Sequence, residues 1–194
     1  MDFLKTSIPD VVLIKPHLLR DNRGYFAETF REDLLEDSIG FKVNFCQDNE
    51  TKSKRNVLRG LHFQLPPYAQ SKLVRVIEGE VLDVVVDIRE GSPTFSHHFS
   101  VRLSSENKKQ LFIPRGFAHG FLVLSEIAIF SYKVDNFYSS EYSRGVAFND
   151  TSLGIKWNLP LDQLILSEED SKQPLLKEIS KECSYFNYKK NLYD

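Results

Sequence analysis

The sequence predicts an all-β chain, folded as a sandwich or barrel with only short helices. Three observations predict it. Short runs rich in Val, Ile and Phe crowd the middle of the chain, turn residues (Gly, Pro, Asn, Asp) punctuate them, and helical periodicity is scarce.

Strands are expected over residues 11–14, 42–47, 57–64, 72–78, 80–88, 97–103, 109–113, 120–124 and 128–134. The first is an apolar run stopped by Pro16, and the third alternates until Leu65-Pro66-Pro67. The fourth and fifth are joined by Glu78-Gly79-Glu80, a tight turn in which Gly79 supplies the positive φ. Residues 31–38 have a helix-friendly composition before Gly40, and residues 168–176 are expected to carry a turn or two. Neither an internal repeat nor a linker is visible. The expected organisation is one domain over 1–177 and a tail over 178–194. That tail is polar and aromatic, either a frayed end or an arm packing on a neighbour.

A length of 194 residues suits one domain with an ordinary core. With 41% hydrophobic and 27% charged residues, a soluble globular protein is expected rather than a disordered one. A net charge of -2 argues against a general nucleic-acid partner, though not against a small basic pocket for a phosphorylated ligand. No apolar run approaches the roughly 20 residues that span a bilayer, so no membrane partner is expected. Residues 1–16 lack the basic and apolar regions of a secretory leader. Cys46 and Cys183 lie far apart with no CxxC spacing, which fits reduced thiols in the cytoplasm.

Of the five histidines, His17, His97 and His98 sit in surface-like contexts. His62 lies in Leu58-Arg59-Gly60-Leu61-His62-Phe63-Gln64, where strict alternation puts Leu58, Gly60, His62 and Gln64 on one face. A face with His and Gln but little bulk suits a cavity wall. His119 follows the Gly-rich turn Pro114-Arg115-Gly116 and enters another apolar strand. Lys72 shares a strand face with Val74 and Val76, and Tyr132 shares one with Phe130 and Val134. A lysine among apolar neighbours is rarely without a partner or a purpose. An imidazole, an ammonium and a phenol converging in one barrel suit proton transfer.

A metal site fits this set poorly, because two histidines are few ligands and the charged lysine beside them would repel a divalent cation. There is no G-x-S-x-G, P-loop or dinucleotide fingerprint. Arg20, Arg23 and Arg59 have the planar fork that pairs with diphosphate oxygens, and Tyr138 can stack on a nucleobase or serve as rim packing.

Several segments, taken together, resemble the rhamnose-pathway dTDP-4-dehydrorhamnose 3,5-epimerase family of the cupin superfamily. They are Arg59-Gly60-Leu61-His62-Phe63-Gln64, Ser71-Lys72-Leu73-Val74, Gly79-Glu80-Val81, Gly91-Ser92-Pro93-Thr94, Ile113 through Phe121, and Leu166-Ser167-Glu168-Glu169-Asp170. The likeness runs from about residue 4 to 177. It implies a cupin-like double-stranded β-helix (jelly roll) and a homodimer without metal or organic cofactor. It implies a dTDP-linked keto sugar as substrate, epimerised at C3 and C5. The implied catalytic set is His62 as base, Asp170 orienting it, Tyr132 as acid on the opposite sugar face, and Lys72 stabilising the enolate. By the same matching Arg23, Glu28, Gln47, Asn49, Arg59 and His119 bind substrate, and Tyr138 stacks on thymine.

Ser143 stands where the family often has Glu, and Glu169 where it often has a basic residue. Those departures touch the nucleotide and sugar contacts more than the proton chemistry. They motivate a 3-only or 5-only epimerase, or one acting on a GDP- or CDP-linked sugar, as the alternative. A non-catalytic sugar-nucleotide-binding cupin would keep the arginines and Tyr138 but have no need of His62, Lys72, Tyr132 and Asp170 together.

Overall fold

The computed structural model describes residues 1–193. An N-terminal arm comprises β1 (Asp2–Lys5), β2 (Val12–Lys15), the hairpin β3 (Leu19–Asp21) and β4 (Gly24–Phe26), and helix α1 (Glu32–Ile39). The body then runs through β5 (Gln47–Lys54), β6 (Leu58–Gln64), β7 (Lys72–Glu78) and β8 (Glu80–Asp87). It returns through β9 (His98–Ser104), β10 (Gln110–Ile113), β11 (Phe117–Val123) and β12 (Ile127–Val134). A short β13 (Ser143–Gly145), several single 3-10 turns and helix α2 (Ser180–Cys183) complete it.

The body strands pair as nested antiparallel ladders: β8 with β9, β7 with β10, β6 with β11, and β5 with β12. Such nesting is what a long hairpin gives when it is wound into a jelly roll, and it produces two facing sheets. One has the order β1-β2-β10-β7-β12-β5 and the other β13-β6-β11-β8-β9.

Three apolar layers follow from how alternate residues are shared out. Between the sheets lie Val74 and Val76 of β7, Val81 and Val85 of β8, Leu111 and Ile113 of β10, and Phe130 of β12. Outside the second sheet, Leu82, Val84 and Val86 pack with Phe148, Trp157 and Phe186. Outside the first, Leu73 and Phe112 pack with Leu35 of α1 and Val43. Because β8 is buried on both faces, it reads as an apolar run broken by Asp83 rather than as an alternating strand.

Several expected elements move. Of the strand expected over 42–47, residues 42–46 are irregular, and the strand falls on Gln47–Lys54, whose sequence QDNETKSK carries no apolar signal. Its backbone pairs with β12 from Gln47 opposite Val134 to Lys54 opposite Ile127, so ladder hydrogen bonds rather than burial hold it. As an edge strand it gains from its charges, which discourage further pairing. The expected 120–124 strand begins earlier, at Phe117. β1, the β3–β4 hairpin and β13 were not expected. The helical turns expected over 168–176 reduce to a 3-10 turn at Asp170–Lys172, with Leu176 opening a second at Leu176–Ile179.

The tail packs on the chain's own body. Ile179, Cys183 and Phe186 are buried in the layer outside the second sheet. Tyr193 lies tilted against Phe41, its hydroxyl 2.8 Å from Ser71 Oγ, and Leu192 accepts a 2.9 Å hydrogen bond from Arg115.

Candidate active site

β6 and β11 place His62 directly opposite His119, and the register then slips, so that Phe121 faces Arg59 and Leu122 faces Leu58. The slip centres on two glycines. A Cβ on Gly60, whose φ is +118°, would lie 2.5 Å from Gly120 Cα, and one on Gly120 would lie 2.6 Å from the Arg59 carbonyl oxygen. Only bare backbone permits that approach.

The slip overturns the alternation expected for this strand. Arg59 joins His62 on the cavity wall, whereas Leu58, Leu61 and Phe63 pack into the outer layer. Gln64 does not line the cavity. Its amide donates to the Tyr68 and Phe137 carbonyls at 2.7 and 3.1 Å and accepts from the Ser139 N–H at 2.7 Å. It thereby braces the loop that carries Tyr138.

β7 and β12 keep their alternation. Lys72 and Tyr132 both point between the sheets, where Val74, Val76 and Phe130 lie. A cavity of about 350 Å³ results, lined by Arg59, His62, Lys72, His119, Tyr132 and Asp170. His62 and His119 enter it from one sheet, Lys72 and Tyr132 from the other.

Asp170 arrives from a loop clamped beside β6. Ile165 exchanges backbone hydrogen bonds with Asn56 and Leu58, and Ser167 and Asp170 cap each other at 2.9 and 3.0 Å. The Asp170 carboxylate then lies 2.5 Å from His62 Nε2. A carboxylate only accepts, so the neutral ring carries its proton on Nε2 and keeps Nδ1 as the basic nitrogen. Burial pushes the Asp170 carboxyl up, but the His62 and Ser167 hydrogen bonds outweigh it and hold the group below the usual range.

Lys72 forms no ion pair among the described residues; its Nζ makes one long bond, 3.4 Å, to the His62 carbonyl. Burial pushes the ammonium down to about 8, with the nearby Asp83 carboxylate opposing the shift. His119 is likewise pushed down by burial against the opposing pull of Asp83, which accepts from its Nε2 at 2.9 Å. Burial raises the Tyr132 phenol, with Arg59 pulling the other way, so its proton stays on at neutral pH. Arg59 donates to Ser53 Oγ at 3.0 Å and has no carboxylate partner among the described residues, which leaves its charge available to an anion.

The other expected binding residues are spread more widely. Asn49 lies opposite Tyr132 in the β5–β12 ladder and accepts from Gln47 at 2.7 Å. Gln47 accepts from the Tyr138 backbone at 3.3 Å, so these three form a rim beside the cavity, with Tyr138 largely exposed. Arg23 and Glu28 are not in this group. Arg23 is exposed on the β3–β4 turn, paired with Asp21 at 2.6 Å, and Glu28 is paired with Arg31 at 3.4 Å. Glu169 lines the cavity next to Asp170, whereas Ser143 pairs with Gln64 at the start of β13.

Sequence reasoning missed Asp83 and Thr51. Among the described residues, Asp83 Oδ1 and Thr51 Oγ1 are the buried side-chain polar atoms without a hydrogen-bond partner, and both lie at this site. A signal for Asp83 was present, since a carboxylate interrupts the apolar run Val81 to Val86. Thr51, in a wholly polar strand, gave none.

The dTDP-4-dehydrorhamnose 3,5-epimerase family model matches residues 5–178. The chain belongs to that family. A dTDP-4-dehydrorhamnose 3,5-epimerase of Shigella flexneri is 53% identical over 170 residues, covering 88% of this chain and 93% of that protein. The solved dTDP-4-dehydrorhamnose 3,5-epimerase of Elizabethkingia anophelis NUHP1 superposes with a TM-score of 0.89 at 49% identity, covering 92% of this chain and 97% of that one. A dTDP-6-deoxy-D-glucose-3,5-epimerase of Legionella pneumophila Philadelphia 1, solved in complex with dTDP-4-keto-L-rhamnose, superposes at 0.90 with 44% identity, covering 94% and 96%. The two-sheet architecture is thus the cupin-like jelly roll of this epimerase family.

Proposed function

We propose that this chain epimerises dTDP-4-dehydro-6-deoxy-D-glucose at C3 and C5 to dTDP-4-dehydro-L-rhamnose, with His62 as base and Tyr132 as acid. The observation that carries this reading is the division of the two groups between facing sheets. Inversion requires a proton to leave one face of the sugar and another to arrive at the opposite face. A base on β6 and a phenol on β12, either side of one cavity, meet that requirement.

The energetics explain the remaining groups. A C–H beside the C4 ketone is roughly a dozen pKa units too weak an acid for neutral imidazole. At 1.36 kcal/mol per unit, its transfer is uphill by on the order of 16 kcal/mol. A general base supplies only about 10²–10⁴ in rate. The deficit falls on stabilisation of the enolate oxygen, and a cation in a poorly solvated cavity is strongest there. Lys72 fits that role, and with its charge in place the reaction needs no metal or cofactor. Asp170 favours the imidazolium that forms once His62 has taken the proton.

Arg59 suits the diphosphate, His119 the sugar, and the Gln47–Asn49–Tyr138 rim the thymidine, with Tyr138 stacking on the base. Arg23 and Glu28 stand away from this cavity on an arm that exposes Leu19, Tyr25 and Phe26. We read that arm as reaching the site of a second copy in a homodimer. Among the described residues no helix is long and apolar enough to cross a membrane. A cytoplasmic enzyme, with residues 1–177 as its catalytic domain, is the matching proposal.

Proton NMR with dTDP-4-keto-6-deoxyglucose in D₂O tests the reading. Deuterium is expected at both C3 and C5, and neither His62→Ala nor Lys72→Ala should exchange either position. Full epimerisation by the His62 variant would sink the scheme, and exchange at one carbon alone would make the chain a single epimerase.

A further inference from the structure

Two buried aspartates of β8 differ in a way that structural packing does not explain. Asp87 is saturated: it accepts from the Arg89 backbone, from Arg89 Nε and Nη2, and from the hydroxyls of Ser92 and Thr94, all between 2.6 and 2.9 Å. Asp83 is equally inaccessible, yet only its Oδ2 is engaged, by His119 Nε2 at 2.9 Å, and its Oδ1 has no partner among the described residues. A half-paired buried carboxylate is costly, so its retention in the middle of an apolar strand calls for a use. The cation it acts on is Lys72, which has no ion pair of its own among the described residues.

We propose that Asp83 is the positioning residue of the site: held on His119, it keeps the Lys72 ammonium charged within the cavity and fixes the His119 tautomer. This rests on the reading of Lys72 as the enolate-stabilising cation. A direct Asp83–Lys72 ion pair would occupy the ammonium's donors and cancel much of its field at the enolate. A carboxylate tied to His119 acts at a remove. It opposes the desolvation that drives the proton off Lys72 while leaving the ammonium's N–H groups free for the substrate oxygen. It also commits Nε2–H of neutral His119 to itself, so that Nδ1 is the nitrogen left to meet the sugar. The other ionisable groups of the cavity are Arg59 and His62 on β6, Tyr132 on β12, and Glu169 and Asp170 on the loop. Of the carboxylates, Asp83 is the one whose charge acts on the Lys72 ammonium against the effect of burial.

The sign follows from the charges. Lys72 acts as a cation, so turnover should fall as pH rises through about 8, where the ammonium loses its proton. Asp83→Asn keeps an oxygen to accept from His119 and removes only the charge. The alkaline limb of kcat should then move toward acid by about one pH unit or more. Well below the limb kcat should fall less than tenfold, with KM little changed. Lys72 can also be followed without turnover, by ¹³C NMR of reductively methylated lysines, its resonance identified by its loss in Lys72→Arg. That resonance should titrate lower in Asp83→Asn by the same shift. In the wild-type protein, which needs no variant to fold, the Asp83 carboxyl carbon should inflect at the pH where Lys72 titrates.

An unmoved limb and resonance in folded Asp83→Asn, a loss of rate equal at every pH, or no such inflection overturns the proposal. Should wild-type enzyme fail to exchange the sugar protons, the proposed function fails instead, and the two NMR titrations still decide the role of Asp83.

Discussion

At the scale of single residues, the proposed mechanism makes one side chain decide whether the protein only exchanges a proton or also inverts a centre. In the proposed scheme His62 takes the proton from the β6 side of the cavity, and Lys72 stabilises the enolate from the facing sheet. Tyr132, on the strand beside Lys72, is the group facing His62 whose proton burial retains at neutral pH. Tyr132→Phe removes that proton and little volume. It is expected to leave deuterium exchange at C3 or C5 measurable while inversion falls by about 10²-fold or more, and product stereochemistry by NMR checks it. Retention of full inversion would assign the acid to another group. The candidate residues His62, Lys72, Tyr132 and His119 were legible because each is a chemically able side chain set among apolar neighbours. Asp170 entered only through family resemblance, since nothing in Ser167-Glu168-Glu169-Asp170 indicates which carboxylate turns inward. That choice is made by the Ser167 cap and by the clamp of Ile165 against β6.

Elements set the spacing that those side chains need. β6 and β11 cross so closely at Gly60 and Gly120 that no side chain fits between them. Gly120→Ala is expected to force the pair apart, at a cost of about 1–3 kcal/mol in stability with a larger loss of activity. Denaturant unfolding and turnover measured side by side check it. Gly91→Ala makes the contrast: its φ of +78° opposes a side chain, but no atom of the described residues would lie within 4 Å. Backbone strain of about 1 kcal/mol with activity preserved is expected there. The apolar strands were legible at nearly their true bounds. β5 was not, because its pairing partner β12, rather than its own residues, makes it a strand. The alternation of β6 failed for the same kind of reason, since the slip at Gly60 depends on Gly120 in another strand.

At the scale of the whole molecule, residues past the end of the family match complete the apolar layer outside the second sheet. Residues 179–193 lie beyond residue 178, yet Phe186 is 1% exposed and stands edge-on to Phe63 of β6 at 5.9 Å. Phe186→Ala should cost about 3–5 kcal/mol, a loss readable as a lowered urea midpoint. An unchanged midpoint would mean that the tail is dispensable to the fold. Closer to the site, Tyr193 bonds Ser71, the residue before Lys72, and accepts from the Arg115 N–H at 3.3 Å. The tail thus buttresses the start of β7 and the turn that leads into β11.

By itself the sequence determined the class of the fold, the apolar strands and most of the reactive side chains. These are properties of composition and local order, in which an apolar run or a misplaced lysine declares itself. Only the tertiary structure decided which faces meet, which carboxylate reaches His62, that Asp83 binds His119, and where the tail rests. Each of those depends on register between strands distant in the chain, and a shift of one residue sends every side chain to the opposite face.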